Sequence, residues 1–251
     1  MKFGIIGTGA IGGTIAKKLA AAGHKVKVYN NSEYATLEER ARELGASPST
    51  IKDIVKDVDV VIISIPTTAI PGLPKDLFAG AEDNVIVVDT ANYYPFRDGE
   101  IKELNNGKVE SVWIAEALGR PVIKAFNNLL AHTLKHGSKA KGSAGRIAMA
   151  VSGDDQNAKK VIARLIDDIG FDAVDAGVLA DSWRHQPGTP AYCTELSVDQ
   201  LKRALDSGNK ENAAHLRDHA ITTLMERAEP ISHEDIVALN RSLFPANPKA
   251  N

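Results

Sequence analysis

The chain has 251 residues, of which 43% are hydrophobic, and a formal net charge of −2. That length and apolar content can bury a full core, and the near-neutral charge leaves no electrostatic footprint for a nucleic-acid partner. One cysteine, Cys193, excludes an internal disulfide and a thiolate metal site and reads as a small buried hydrophobe; the seven histidines show no His-Glu-x-x-His spacing, so no metal is expected.

A first strand is read in Phe3-Gly4-Ile5-Ile6, and it runs directly into Gly7-Thr8-Gly9-Ala10-Ile11-Gly12. A helical pattern carried by Ile15, Ala16, Leu19 and Ala20 follows. Glycines so spaced between a strand and a helix form the dinucleotide-binding fingerprint: the first permits a tight turn, the second close approach to a pyrophosphate, the third close packing of helix on strand. The pyrophosphate belongs on the helix N-terminus, where unpaired N–H groups and the dipole favour an anion. All six turn residues are therefore cofactor-binding candidates. No charged-then-apolar leader precedes the strand, and no apolar run approaches the roughly 18 residues of a membrane span, so a cytoplasmic protein without a membrane partner is expected.

Lys25–Tyr29 alternates as a strand and ends at Asn30, Asn31 and Ser32. This is about 20 residues past the last glycine, where NAD-binding proteins place an acid. No carboxylate stands there, and amide and hydroxyl groups can hydrogen-bond a 2′-phosphate, so NADP is the expected cofactor. Such a site usually adds an arginine. Arg40 and Arg42 of the next helix are the candidates, although each taken alone reads as an exposed helix charge, and Glu33 brings the opposite sign. Leu37, Ala41 and Leu44 form the apolar stripe of that helix, with Thr36 and Glu39 as its capping box and Gly45 as its stop.

Asp59–Pro66 is a continuous apolar strand of the type buried on both faces, and Val85–Asp89 repeats the design. Ligands of open parallel sheets bind beyond the carboxyl ends of the strands. Ile65, Pro66 and the loop from Thr90 to Pro95, with Asn92 in it, are thus expected to wall the cofactor. Val122–Phe126 reads as a sixth strand that delivers Asn127 and Asn128 to the same side. These asparagines either hold the nicotinamide amide or a flavin carbonyl, or cap the following helix. The segment from Lys135 to Gly145 reads as a flexible, positively charged surface loop, a solvated connection. Beyond it come a strand at Ile147–Val151, a helix carried by Val161, Ile162, Leu165, Ile166 and Ile169 and stopped by Gly170, and a returning strand at Phe171–Val174.

Strand signals stop after Gly177. Asp181–Pro190 reads as a polar, proline-punctuated loop, and helices start at Ser197 with Gln200 and at Ser232 with Asp235. The fold class is α/β: a doubly wound, mostly parallel sheet with a small C-terminal helical region. Residues 1–177 form the cofactor-binding domain and 178–251 the substrate and dimerisation region. Tail positions Leu196, Leu201, Leu205, Leu216, Ile221, Leu224, Ile236 and Leu239 exceed what a short tail buries alone, which predicts a homodimer.

Taken together, these segments resemble the coenzyme F420 (deazaflavin)-dependent NADP oxidoreductase family, itself similar to the 6-phosphogluconate-dehydrogenase-like Rossmann proteins. The resemblance rests on the glycine turn, Ser64-Ile65-Pro66, Lys124-Ala125-Phe126-Asn127, Val151-Ser152-Gly153-Asp154-Asp155, and Phe171-Asp172-Ala173-Val174-Asp175-Ala176-Gly177. It implies NADP on the glycine turn and hydride transfer between its nicotinamide and a deazaflavin in the cleft below the small domain. The chain departs from the archaeal enzymes at two places. They have a serine-arginine pair where Asn30, Asn31 and Ser32 stand here, and a histidine near the reacting rings where Asn127 stands. Closer are bacterial relatives sharing Asn92-Tyr93-Tyr94-Pro95 and Arg184-His185-Gln186-Pro187-Gly188-Thr189-Pro190.

Hydride transfer between stacked rings needs distance and orientation rather than a nucleophile. The chain accordingly reads as an NADP-dependent oxidoreductase, with Asn127 as the catalytic candidate and Asn128, Arg184 and Gln186 as substrate-binding candidates. The acceptor is expected between the strand ends and the Trp183-to-Pro190 loop, Asn127 on the nicotinamide side and Arg184 opposite. His185 either donates a proton to a carbonyl substrate or is an exposed loop histidine. Three functions stay open: reduction of a flavin or deazaflavin-type acceptor, reduction of a small carbonyl or imine, and non-catalytic NADP sensing.

Overall fold

The computed structural model describes residues 1–244; of the region 178–251, residues 245–251 lie outside the described residues. In chain order the elements are β1 (Lys2–Ile6), α1 (Ala10–Ala21), β2 (Lys25–Tyr29), α2 (Tyr34–Leu44), β3 (Ser47–Pro48), β4 (Val60–Ile63), β5 (Ile86–Asp89), α3 (Pro95–Asp98), α4 (Lys102–Asn105), α5 (Glu110–Leu118), β6 (Ile123–Lys124), α6 (Ala131–His136), β7 (Ala148–Val151), α7 (Gln156–Asp168), β8 (Asp172–Asp175), α8 (Val198–Ser207), α9 (Lys210–Met225) and α10 (His233–Ser242). Tight helical turns at Thr67–Gly72 and Leu179–His185 complete the list.

Six strands pair in the order β3-β2-β1-β4-β5-β6, all parallel. This order, reversing at β1 and β4, makes the sheet a Rossmann sheet and puts a crevice at the carboxyl ends of those two strands. Alternation along the strands divides the core. Phe3, Ile5, Val60 and Ile62 face α1 and α2 with Ile15, Leu19, Leu37 and Leu44. Ile6, Val61, Ile63 and Val87 face the opposite side with Ile54, Ile70 and Ile114 of α5.

β7 and β8 do not extend the main sheet. They form a separate parallel pair, joined to β6 by one antiparallel bridge between Lys124 and Ser152. The C-terminal region leans on this pair: Leu201, Ala204 and Leu205 of α8 share a core with Ala148, Ala150 and Val174. Both expected capping boxes in the tail are present, Ser197 with Gln200 and Ser232 with Asp235.

The capping box at Thr36 is not formed. α2 begins three residues earlier, with Glu33 at its N-cap. The Asn30 side chain accepts from both the backbone and hydroxyl of Ser32, at 2.9 and 2.5 Å, and turns the chain into the helix ahead of Thr36. The Lys135–Gly145 segment begins inside α6 and continues as an exposed stretch, but Ser138 ties it back by accepting from Lys18 at 2.5 Å and donating to the Ile169 carbonyl at 2.9 Å. Residues 185–189, read from sequence as part of a polar loop, are buried. Their polar groups are satisfied inward, as where the Thr189 hydroxyl donates to the Gln186 carbonyl at 2.8 Å. No helix among the described residues is long and apolar enough to cross a membrane.

Candidate active site

The glycine turn joins β1 to α1 in a geometry that only glycine fits at two positions. Gly7 has φ +101°, and a Cβ there would stand 2.2 Å from the Ser64 carbonyl; a Cβ on Gly12 would stand 2.1 Å from the Gly7 carbonyl. Gly9 differs, since a Cβ there would meet nothing within 4 Å. It is also the N-cap of α1 and brings no side-chain cap, so the first-turn N–H groups of a twelve-residue helix open onto free space. This is a cradle of the kind a pyrophosphate occupies.

At the end of β2 the Asn30 amide donates to the Thr8 hydroxyl at 2.7 Å, which binds that strand end to the turn. Asn31 and Ser32 stand exposed beside it. The expected nucleotide contacts thus gather on one side of the turn.

On the other side lies a cleft of about 330 Å³. Gly9, Ala10 and Ile11 form its floor; Ser64, Ile65, Pro66, Thr90, Ala91 and Asn92 line the strand-end wall, with Phe126 and Asn127 just after β6. Leu129, Leu130 and Ala131 at the start of α6, with Tyr94, Arg97 and Tyr192, close it. The lining holds no carboxylate, histidine, lysine or cysteine. Its charged group is the Arg97 guanidinium, held by the buried Asp98 carboxylate at 2.7 Å and donating to the Asn92 carbonyl at 2.7 Å. The Tyr94 and Tyr192 hydroxyls are 2.7 Å apart, and burial pushes both phenols above the ordinary tyrosine range, so each stays protonated.

Asn127 reaches the cleft, but its amide is used within the protein. Its Nδ2 donates to the Asn92 side chain at 3.0 Å and to the His185 carbonyl at 2.7 Å, while Oδ1 is paired with His185 Nδ1 at 2.8 Å. Both amide hydrogens are thereby spent, which leaves none to hold a nicotinamide carboxamide. Asn92, half-buried, donates in return to the Asn127 carbonyl at 3.0 Å and keeps part of its amide toward the cleft. The group placed to meet a ligand is Asn92, and Asn127 positions it.

His185 corrects the expectation of an exposed loop histidine. It is fully buried, with Nε2 2.8 Å from the Ser152 hydroxyl. Burial, with a smaller contribution from Lys124, drives its pKa down to about 3. The ring is therefore neutral at physiological pH, and it bonds Asn127 from outside the residues that line the cleft.

The three substrate-binding candidates do not line this cleft. Asn128 is buried, receives the Ala150 N–H at 3.3 Å and donates to the Ala191 carbonyl at 3.3 Å, so it clamps β7 to the 191–193 segment. Neither asparagine caps α6, whose N-cap is Leu130. Arg184 donates to the Leu205 carbonyl at 3.1 Å and lies over the Trp183 ring, turned toward α8. Gln186 is buried, and its Nε2 has no hydrogen-bond partner among the described residues. The far wall is made by α6 and Tyr192 instead of the Trp183-to-Pro190 loop. Tyr192 carried no local signal in the sequence; Arg97 had one, because Pro95 is suited to a first helical position and starts α3 there.

Beneath the cleft, Asp89 and Lys124 form an ion pair at 3.0 Å with both side chains fully buried. Asp89 also accepts from the Ser111 hydroxyl at 2.7 Å and the Ala91 N–H at 2.8 Å, and Lys124 donates to the Ala91 carbonyl. The pair thus fixes the turn carrying Ala91 and Asn92. Among the described residues, no group of three or more His, Cys, Asp or Glu is arranged to hold a metal ion.

A family model described as NADP oxidoreductase, coenzyme F420-dependent, matches residues 2–93. The provisionally named protein YjhV of Escherichia coli (strain K12) is 37% identical over 108 residues, 43% of this chain and 79% of that protein. The hypothetical protein SMa0349 of Sinorhizobium meliloti is 31% identical in sequence with a TM-score of 0.66, over 78% of this chain and 95% of that one. A provisionally assigned F420-dependent NADP reductase of Arthrobacter sp. FB24 is 25% identical with a TM-score of 0.59, over 72% of this chain and 87% of that one.

Proposed function

The chain belongs to the family of coenzyme F420-dependent NADP oxidoreductases, and we propose that it transfers hydride between NADP(H) and a flavin or deazaflavin-type acceptor in the cleft above its strand ends. The observation that carries this reading is the cleft itself: apolar walls of Ile11, Ile65, Pro66, Phe126, Leu129 and Leu130 open beside an uncapped helix N-terminus, and no carboxylate, histidine, lysine or cysteine is among the described lining residues. Apolar walls with a few polar groups suit two ring systems held face to face.

NADPH, when bound, supplies the hydride. The chain's own residues bind and orient. The N–H groups at the start of α1 take the pyrophosphate, with Gly9 open to its approach. Asn30 and Ser32 face the adenosine ribose. Ile65 and Pro66 pack on the nicotinamide, and Asn92 hydrogen-bonds its amide, held in place by Asn127 and His185. Arg97 and the Tyr94–Tyr192 pair face the acceptor with a cation and, because one phenol donates to the other, one free hydroxyl donor.

Those hydroxyls also favour a second reading, reduction of a small carbonyl or imine, because a phenol that stays protonated can hydrogen-bond a carbonyl oxygen as charge develops on it. Rapid mixing of the protein with NADPH and a deazaflavin, FMN, or a panel of aldehydes and cyclic imines separates the two. The expected result is NADPH oxidation coupled to bleaching of the deazaflavin or flavin. Turnover with carbonyls or imines alone supports the second reading, and tight NADPH binding without any turnover makes the protein a sensor.

The residues after Gly177 are proposed to complete a homodimer. Leu216, Ile221, Leu224, Ile236 and Leu239 are only half-buried in the single chain, and Met225 and Ile231 are exposed. Light scattering at micromolar concentration should give twice the 26.8 kDa chain mass, and a monomer mass rejects the proposal.

A further inference from the structure

The sheet end that faces the adenosine ribose lacks both the acid of an NAD site and an adjacent arginine, yet a guanidinium reaches it from elsewhere. We infer that Arg40, lying across Gly13, recognises the 2′-phosphate of the nucleotide and is the residue that sets NADP over NAD. This rests on the NADP-dependent reading above and names the specificity determinant within it.

Two independent observations converge on Arg40. Its Nη2 donates to the Thr8 carbonyl at 3.3 Å, and the Thr8 hydroxyl accepts from Asn30 at 2.7 Å, so guanidinium, turn and strand-end amide form one connected polar cluster. The second is Gly13, a glycine that the fingerprint spacing does not require. A Cβ at Gly13 would stand 2.9 Å from Arg40 Nη2 and 2.9 Å from the Thr8 carbonyl. The bare backbone there leaves the space that the guanidinium fills, where a side chain would displace it. Arg42, two residues on, is exposed and belongs to another face of the helix.

The position suits a phosphate. Arg40 is part-exposed, its side chain retaining 39% of its accessible surface, so a ligand can reach it. Glu43 holds Nη1 at 2.8 Å, an i,i+3 surface pair of the weak class. A pair so weak leaves the guanidinium open to a more strongly charged ligand. No carboxylate stands among Asn30, Asn31 and Ser32 to repel a phosphate, and Asn31 and Ser32 are exposed at that strand end. An arginine-phosphate contact is a charge-assisted hydrogen bond, about twice as strong as a neutral one.

The test uses ligands that differ only in the phosphate concerned: adenosine 2′,5′-bisphosphate and adenosine 5′-monophosphate, titrated calorimetrically into the full chain and into Arg40→Met. The variant is expected to lose about tenfold or more in affinity for the bisphosphate, while monophosphate binding stays within about twofold. Arg40→Lys should recover part of the loss, because the charge returns without the planar fork. Equal weakening of both ligands, or no weakening of either, overturns the assignment of Arg40 and leaves the oxidoreductase reading standing. A parent protein that binds neither adenosine ligand, nor NADPH nor NADH, overturns both together.

Discussion

Replacing Asn127 by alanine should lower the single-turnover rate of hydride transfer by about a hundredfold, the effect of misplacing a reacting ring by about 1 Å. NADPH affinity should change by no more than about threefold, because Asn127 spends its amide on Asn92 and His185 and leaves the pyrophosphate cradle untouched. What the substitution removes is the fixed orientation of Asn92. Asn92→Ala should therefore cost a similar factor, and the double variant little more than either single one, since two members of one hydrogen-bonded unit are not additive. A merely structural role would lower thermal stability without dividing rate from affinity in this way. Parent-like turnover in Asn127→Ala would remove Asn127 and Asn92 from the site.

Lys124→Met should destabilise the fold by about 3–5 kcal/mol, the cost of leaving a buried carboxylate without its counter-ion. Asp89 and Lys124 are both fully buried, so no water replaces the lost partner. Adding Asp89→Asn to Lys124→Met should restore much of the stability, because no uncompensated charge then remains. Urea denaturation at neutral pH measures both effects from the midpoint at constant slope. A loss below about 1 kcal/mol in the single variant would mean that the pair is solvated and lacks the burial on which the expectation depends. The same pair holds the Ala91 turn, so the recovered double variant should fold yet transfer hydride more slowly than the parent.

The cofactor half of the molecule was legible because local rules and tertiary structure agree there. The glycine turn, the apolar strands ending at Ile63 and Asp89, and the stop at Gly45 each follow from spacing or backbone chemistry within a few residues. The far side of the cleft was not legible in that way. Asn127 pairs with a residue 58 positions away, and Tyr94 meets Tyr192 across 98 positions. No local pattern encodes either contact. Arg184 and Gln186 were placed opposite Asn127 because they follow the last strand, but Arg184 bonds the end of α8 and Gln186 is folded inward. His185, between them, is the residue of that segment that reaches Asn127, through a ring whose burial could not be read from its polar neighbours.

The ends of the six-stranded sheet carry a different consequence. β3 is two residues long and one of them is Pro48, which has no N–H to offer. β6 is equally short, and Lys124 exchanges both backbone hydrogen bonds with Ser152, at 2.8 and 3.0 Å. Neither flank presents a row of unpaired amides on which a stray extended segment could template, which is how natural sheets suppress aggregation and strand exchange. This array of Val- and Ile-rich strands is thus kept from recruiting further chains through its backbone, and any contact with another copy falls to side chains on the helices.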